Sequence, residues 1–80
     1  MTLVEIHQQL TSIFRDVFDE PLLEITDATT AADVEEWDSL AHIRLIVEVE
    51  KQFSIVLTIK DVKALTNVGD FMLLIARKVA

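Results

Sequence analysis

The chain has 80 residues, 51% of them hydrophobic, and its fourteen acids and seven bases give a formal net charge of −7. The length and the hydrophobic content favour one folded domain over residues 1–80. The negative charge disfavours nucleic acid as a partner and favours a basic protein surface instead. Because it has no cysteine, no long apolar run and no signal-peptide pattern, we expect a cytoplasmic monomer without disulfides or membrane insertion.

The first element is predicted to be an amphipathic helix from about Thr2 to Val17. Apolar side chains recur there at three- and four-residue steps, as on one face of a helix: Leu3, Ile6, Leu10, Ile13, Phe14 and Val17. Thr2 suits the N-cap, and Glu5 follows three residues later as in a capping box. The residues between these steps are expected to face water: His7, Gln8, Gln9 and Arg15.

A long loop is predicted from Phe18 to Asp38, where the helical spacing stops. This segment contains Pro21, the only proline, and several threonines and aspartates that favour turns and caps. We expect one short helical turn near residues 28–34. Trp37 is expected to anchor the end of the loop on the core, as a lone tryptophan usually does. Three apolar residues in the loop should also pack inward: Leu22, Leu23 and Ile25.

The second helix is predicted from Ser39 to about Phe53. Either Asp38 or Ser39 can cap it, because a short oxygen-bearing side chain satisfies free N–H groups of the first turn. At 100° per residue, one side forms the core face: His42, Leu45, Ile46, Val49 and Phe53. The opposite side carries three apolar residues and two bases, and is either covered by the loop or open to a partner protein: Leu40, Ile43, Val47, Arg44 and Lys51.

The remaining segment is predicted to hold two further helices. Residues 54–58 form a link rather than a strand, since an isolated strand would have nothing to pair with. Thr58 caps a short helix from Ile59 to Ala64, and Asn67 begins the last helix with Asp70 three residues later. Its buried stripe should comprise Val68, Phe71, Met72, Ile75 and Val79. The fold class is therefore all-α, a small antiparallel bundle.

No catalytic set can be assembled from these residues. His42 lies three residues after Ser39, but a catalytic triad also needs an orienting acid and an oxyanion hole. The chain has only two histidines and one glycine, and it has no Gly-x-Ser-x-Gly elbow. Without cysteines or a His-x-x-x-His spacing, we expect no metal site. We therefore interpret His42 as a partly buried, hydrogen-bonded residue, and we expect no enzyme activity.

An ordered set of short motifs resembles the acyl carrier protein family over nearly the whole chain. Asp38-Ser39-Leu40 heads a helix that ends in Glu50-Lys51-Gln52-Phe53, and Thr66-Asn67-Val68-Gly69-Asp70-Phe71 opens the last helix. The resemblance implies a small four-helix bundle of the acyl-carrier type, with a long loop between helices one and two. It implies no catalysis, and a 4′-phosphopantetheine covalently attached to Ser39 by a phosphopantetheinyl transferase. By the resemblance Asp38 assists that attachment, and the thiol of the arm carries acyl or aminoacyl groups as thioesters.

The resemblance also makes helix two the docking surface for partner enzymes. Its five outer residues named above would contact the transferase, an acyl- or aminoacyl-loading ligase, and synthase or transferase enzymes. Two features depart from the fatty-acid members: Arg44 and Lys51 interrupt a normally acidic helix, and Trp37 stands where a small or apolar residue usually follows glycine. We therefore expect a specialised polyketide, nonribosomal peptide or modified-lipid pathway. An aminoacyl or peptidyl carrier remains an alternative, as does a non-carrier interaction module in which Ser39 only caps the helix.

Overall fold

Four α-helices and their connections make up residues 1–79, the part of the chain that the computed structural model describes. The helices are α1 (Leu3–Phe18), α2 (Ser39–Phe53), α3 (Ile59–Lys63) and α4 (Val68–Val79). The predicted all-α class and the order of its helices are confirmed, and the link before α3 contains no strand. Within residues 1–79, none of the helices combines the length and the apolar character needed to cross a bilayer.

Helix α1 is fixed at both ends by local hydrogen bonds. The Thr2 hydroxyl accepts from the Glu5 N–H at 3.2 Å and the Glu5 carboxylate accepts from the Thr2 N–H at 2.8 Å, which confirms the capping box. These bonds from Thr2 lower the pKa of Glu5. At the other end Asp19 adopts a left-handed conformation with φ 53° and donates its N–H to the last carbonyls. The helix therefore extends one residue beyond the predicted end.

The core is built around Phe14, which is fully buried on α1. Its ring lies 5.8 Å from the ring of Phe18, 5.2 Å from Trp37 and 6.4 Å from Phe71, the last two edge-on. Aromatic rings prefer such edge-to-face contacts at these distances, because the ring edge and face carry opposite partial charges. The α1 stripe was predicted correctly except for Leu3, which is exposed. Phe14 thus joins α1, the end of the long loop and α4.

Two polar side chains of α1 hold the long loop in place. His7 Nε2 lies 2.8 Å from the carbonyl oxygen of Ile25, and Arg15 Nε donates to the carbonyl of Leu23 at 2.7 Å. The prediction that His7 and Arg15 face water was therefore wrong. Of the loop's apolar residues, Ile25 is buried and Leu23 half-buried, whereas Leu22 is exposed, contrary to prediction.

The middle of the loop forms tight turns and no helix. Backbone N–H groups of Thr29, Asp33 and Trp37 each donate to the carbonyl three residues earlier. The helical turn predicted near residues 28–34 is absent, because threonine and aspartate side chains satisfy the backbone locally and compete with helix formation. The Asp33 carboxylate, for example, accepts from the Thr30 N–H at 2.9 Å.

The first turn of α4 is docked onto this loop. Val68 and Gly69 donate their N–H groups to the carbonyls of Thr29 and Asp27, at 2.9 and 2.8 Å. A Cβ at Gly69 would lie 3.0 Å from the Asp27 oxygen, so glycine permits the close approach.

The start of α4 is capped as predicted, but its capping box differs. The Asn67 side chain accepts from the Asp70 N–H at 2.8 Å, whereas the Asp70 carboxylate accepts from the Thr66 N–H and hydroxyl rather than from Asn67. These bonds from Thr66 lower the pKa of Asp70. The predicted buried stripe of α4 omitted Leu74, which is buried, and included Val79, which is only half-buried.

Candidate functional site

The start of α2 is capped by Asp38, which resolves the choice left open between Asp38 and Ser39. Asp38 has an extended backbone, and its Oδ1 accepts from the Ala41 N–H at 2.8 Å. Its carbonyl accepts from the N–H of His42 at 2.9 Å. Ser39 is therefore the first residue of the helix, and its hydroxyl is not needed to cap it.

The Ser39 side chain is exposed and makes no hydrogen bond to any residue from 1 to 79. It lines a shallow cleft of about 520 Å³ between the beginning of α2 and the loops that precede α2 and α4. The other residues of that cleft are Ala31, Trp37, Asp38, His42, Ile43, Leu65 and Thr66. A negatively charged group on the hydroxyl would lie beside the N-terminus of α2, where the helix dipole and unpaired N–H groups stabilise anions.

Trp37 and His42 form a hydrogen-bonded pair beside Ser39. The Trp37 Nε1–H donates to His42 Nδ1 at 3.1 Å, and the two rings lie nearly parallel with centroids 6.0 Å apart. Trp37 is buried against Phe14, and Phe71 of α4 lies 6.2 Å from the His42 ring. The predicted anchoring role of Trp37 and the partly buried, hydrogen-bonded His42 are both confirmed.

This pairing excludes His42 as a general base for Ser39. A neutral imidazole has one N–H and one lone pair, and the lone pair on Nδ1 already accepts from Trp37. The hydrogen is therefore on Nε2, and no lone pair remains to take the serine proton. Burial also lowers the pKa of His42, which favours this neutral form at physiological pH. The arrangement presents a hydroxyl and does not activate it.

The two sides of α2 differ sharply in exposure. Leu45 and Val49 are fully buried and Phe53 is buried, as predicted, while His42 and Ile46 are only half-buried. Ala41 completes the buried side and was missed, because alanine is a weak apolar signal. The three apolar residues predicted on the other side are 53–67% exposed: Leu40, Ile43 and Val47. The loop therefore does not cover them.

Two bases accompany these exposed apolar residues, as predicted. Arg44 lines a cleft of about 400 Å³ with Asp16 of α1 and Glu48 of α2, yet it forms no ion pair with any residue from 1 to 79. Lys51, farther along α2, is also exposed. We refer to Leu40, Ile43, Arg44, Val47 and Lys51 as the outer face of α2.

An apolar groove of about 330 Å³ lies between α2 and α3, next to the Ser39 cleft. His42 and Ile43 belong to both. The groove is completed by Ile46, Val47, Leu57, Thr58, Ile59, Val62 and Lys63. Sequence reasoning missed this groove, although the apolar residues at 57, 59 and 62 were a usable signal.

Comparison with known proteins gives a family model and a solved structure that agree. A family model described as "Phosphopantetheine attachment site" matches residues 8–75. A solution NMR structure of a holo acyl carrier protein from Geobacter metallireducens is 39% identical, with a TM-score of 0.88 over 92% of this chain and 85% of that one. No curated protein sequence matches significantly.

Proposed function

This chain belongs to the acyl carrier protein family, whose members are carriers and not enzymes, and we propose that Ser39 holds its covalently attached 4′-phosphopantetheine. The observation that carries the proposal is the exposed Ser39 hydroxyl, without a protein hydrogen bond within residues 1–79, at the first position of α2. When bound, the arm supplies the thiol that holds an acyl group as a thioester, which a chain without cysteine cannot supply itself.

The other two serines offer poorer sites. Ser12 lies in the middle of α1, where the backbone N–H groups are used within the helix. Ser54 forms the C-cap of α2 with φ 55°, at the negative end of that helix dipole, where a phosphate is disfavoured. Of the three serines, only Ser39 combines an exposed hydroxyl with a helix N-terminus.

In the attachment reaction Ser39 is a substrate. Its oxygen bonds to the pantetheine-bearing phosphorus of coenzyme A, the bond from that phosphorus to the remaining nucleotide breaks, and adenosine 3′,5′-bisphosphate leaves. The hydroxyl proton passes to a base of the transferase, since His42 has no lone pair to accept it. Asp38 acts as a positioning residue, because its bond to the Ala41 N–H holds the first turn that presents Ser39.

Intact-mass spectrometry tests the attachment site. The wild-type chain, incubated with coenzyme A and a phosphopantetheinyl transferase, should gain the mass of one arm, and Ser39→Ala should gain none. Ser54→Ala is the matched control and should load like wild type. Circular dichroism should show that Ser39→Ala keeps its helices, because Asp38 and not Ser39 caps α2. Loading of Ser39→Ala would refute Ser39 as the attachment residue.

An acyl cargo fits the surroundings of Ser39 better than an aminoacyl cargo. The groove between α2 and α3 is mainly apolar, with Ile46, Leu57 and Val62 along it. An alkyl chain placed there leaves water favourably, whereas the ammonium group of an aminoacyl thioester would lose hydration. Loading the chain with hexanoyl- or alanyl-pantetheine distinguishes the two. Only the hexanoyl form should shift the methyl NMR signals of Ile46 and Val62; equal shifts would reopen the aminoacyl alternative.

The outer face of α2 supports a role in a specialised polyketide, nonribosomal peptide or modified-lipid pathway. Arg44 and Lys51 put positive charge among exposed apolar residues, where fatty-acid members are acidic. The cognate synthase or transferase should therefore present an acid or an apolar surface opposite Arg44, since a basic patch would be repelled.

A further inference from the structure

One ring nitrogen of His42 has no role in the interactions described so far. Nδ1 accepts from Trp37, so the ring hydrogen is on Nε2, and this N–H has no hydrogen-bond partner within residues 1–79. His42 is half-buried and lies where the Ser39 cleft meets the apolar groove. A donor with a fixed tautomer therefore lies at the junction between the attachment point and the groove.

We propose that His42 Nε2–H donates a hydrogen bond to a phosphodiester oxygen on Ser39 and so directs the attached arm toward the groove between α2 and α3. This inference rests on the proposed attachment at Ser39. Residues three apart on a helix have neighbouring side chains, with Cβ atoms about 5–6 Å apart, so the phosphate and the imidazole are within reach. An anionic acceptor also makes such a bond shorter and stronger than one to a neutral oxygen.

The bond requires Trp37 as well as His42. If Trp37 did not donate to Nδ1, the ring could carry its hydrogen on either nitrogen and could turn more freely. The tryptophan therefore fixes both the tautomer and the orientation of the donor. The two residues act together as a positioning pair for the arm.

The phosphate should change the titration of His42. The charged side chains in the two clefts around the ring are Asp38 from the loop and Lys63 from α3, while α4 contributes the uncharged Phe71. Adding a phosphodiester anion near Nε2 favours the imidazolium, so the pKa of His42 should rise from its burial-lowered value. Protonation of Nδ1 would then remove the acceptor of the Trp37 N–H.

NMR of the unmodified and modified full chains tests the proposal, with intact mass confirming one arm. Attachment should raise the pKa of His42 by about 1 or more, the effect expected of a nearby opposite charge. The Nε2–H signal should sharpen through slower exchange with water. His7 is the internal control: it lies on α1 against the Ile25 carbonyl, so its ring signals should be the same in both forms.

Phosphorus NMR supplies an independent measurement. A phosphodiester does not itself titrate near neutral pH, so in wild type its ³¹P shift should follow the His42 titration. His42→Leu should abolish that pH dependence. His42→Gln, whose amide can both accept from Trp37 and donate to the phosphate, should keep a wild-type ³¹P shift at high pH. The glutamine variant also serves as the test if the leucine variant does not fold.

The possible results separate this inference from the proposed function. A chain that gains one arm while the His42 pKa and the Nε2–H exchange stay unchanged would overturn the hydrogen bond and leave Ser39 attachment standing. A pKa rise that vanishes in 1 M salt, with no protection of Nε2–H from exchange, would come from the general electrostatic effect of the phosphate. That result would also overturn the hydrogen bond. A chain that gains no arm would refute both proposals.

Discussion

Helices α2 and α3 line the same groove but are held in very different ways. Helix α2 has 15 residues, four of them buried, and packs against α1 in the core. Helix α3 has five residues, none of them buried. It is held by a capping box between Thr58 and Asp61 and by an ion pair of 3.0 Å between Asp61 and Lys78 of α4.

This difference gives the groove one fixed wall and one adjustable wall. Segments with few buried apolar contacts open at lower free energy than the global unfolding of the protein. We therefore expect α3 to open locally while α2 stays folded. If the arm is attached at Ser39, as we propose, the groove can then widen on one side to admit a longer group, while the start of α2 keeps its position.

The largest expected effect comes from replacing one valine with alanine in each of the two helices. Val49 on α2 is fully buried, so Val49→Ala should lower the free energy of unfolding by about 2–5 kcal/mol through lost burial and a cavity. Val62 on α3 is only half-buried, so Val62→Ala should cost well under that. Phe53→Ala should fall in the same range and toward its upper end, because it removes a larger buried side chain. Urea unfolding with an unchanged slope measures each change.

Val47→Ala is the control on the outer face of α2. Val47 is 53% exposed, so its loss should cost well under the Val49 value and should weaken the handling of the chain by partner enzymes. Equal destabilisation at Val47 and Val49 would show that both sides of α2 are buried in solution. Equal destabilisation at Val49 and Val62 would remove the distinction between the two walls.

The fixed position of α2 makes its outer face suitable for partner recognition, and Arg44→Glu tests that role. The charge reversal should improve acyl transfer by an enzyme that presents a basic carrier site, as the family resemblance implies for fatty-acid synthase enzymes, and impair transfer by the cognate enzyme. We expect about a tenfold change in each rate, equivalent to ~1.4 kcal/mol. Arg77→Glu, exposed on α4, is the control and should change neither rate. If Arg44→Glu moves both rates in the same direction, Arg44 does not set partner choice.

Sequence reasoning succeeded where the signal lies within one helix. A capping residue predicted the start of α2 at Asp38–Ser39, and the apolar spacing predicted its end at Phe53. The structure has the same start and the same end. The two sides of α2 could also be separated, since the angular position of each residue is fixed at 100° per step. Ala41 was missed because a single methyl group gives little information about burial.

The errors concern contacts that depend on the path of the long loop. His7 and Arg15 lie off the apolar stripe, and only the folded loop brings the Ile25 and Leu23 carbonyls to them. Leu22 is exposed for the same reason. Such contacts join residues 8 and 18 positions apart, and helical periodicity carries no information about them.

The bond between Trp37 and His42 was missed for a related reason. Each residue was placed correctly, as an anchor and as a partly buried histidine, but Trp37 precedes the start of α2. Its direction is therefore set by the turn from Val34 to Trp37 and not by helical geometry. Which nitrogen of His42 carries the hydrogen can be inferred only once the direction of the Trp37 side chain is known.

Removing equivalent caps from the two helices should give a smaller and more local difference. Asp38→Ala and Thr58→Ala each remove a side chain that accepts from a first-turn N–H, a loss of about 1 kcal/mol. Asp38→Ala should lower the free energy of global unfolding by this amount, as measured by urea unfolding. The α3 variant should leave global unfolding nearly unchanged and speed amide hydrogen exchange in residues 61–63 about fivefold. Global destabilisation by Thr58→Ala would mean that α3 unfolds together with α2.

The smallest expected effect is the acid sensitivity of α3. Hydrogen bonds from the Thr58 N–H and from Lys78 lower the pKa of Asp61 from 3.8 to about 2. A carboxylate whose pKa is lower in the folded chain stabilises the fold above its unfolded pKa, and this contribution disappears as pH falls from about 4 to 2. Backbone NMR shifts of residues 58–63 should therefore change over that interval in wild type. In Asp61→Asn, which cannot titrate, they should stay flat, while the signals of buried Leu45 and Val49 should be equal in both proteins. A midpoint near 4 in wild type would show that Thr58 and Lys78 do not hold the carboxylate in solution, and would leave α3 without the one ion pair found within residues 1–79.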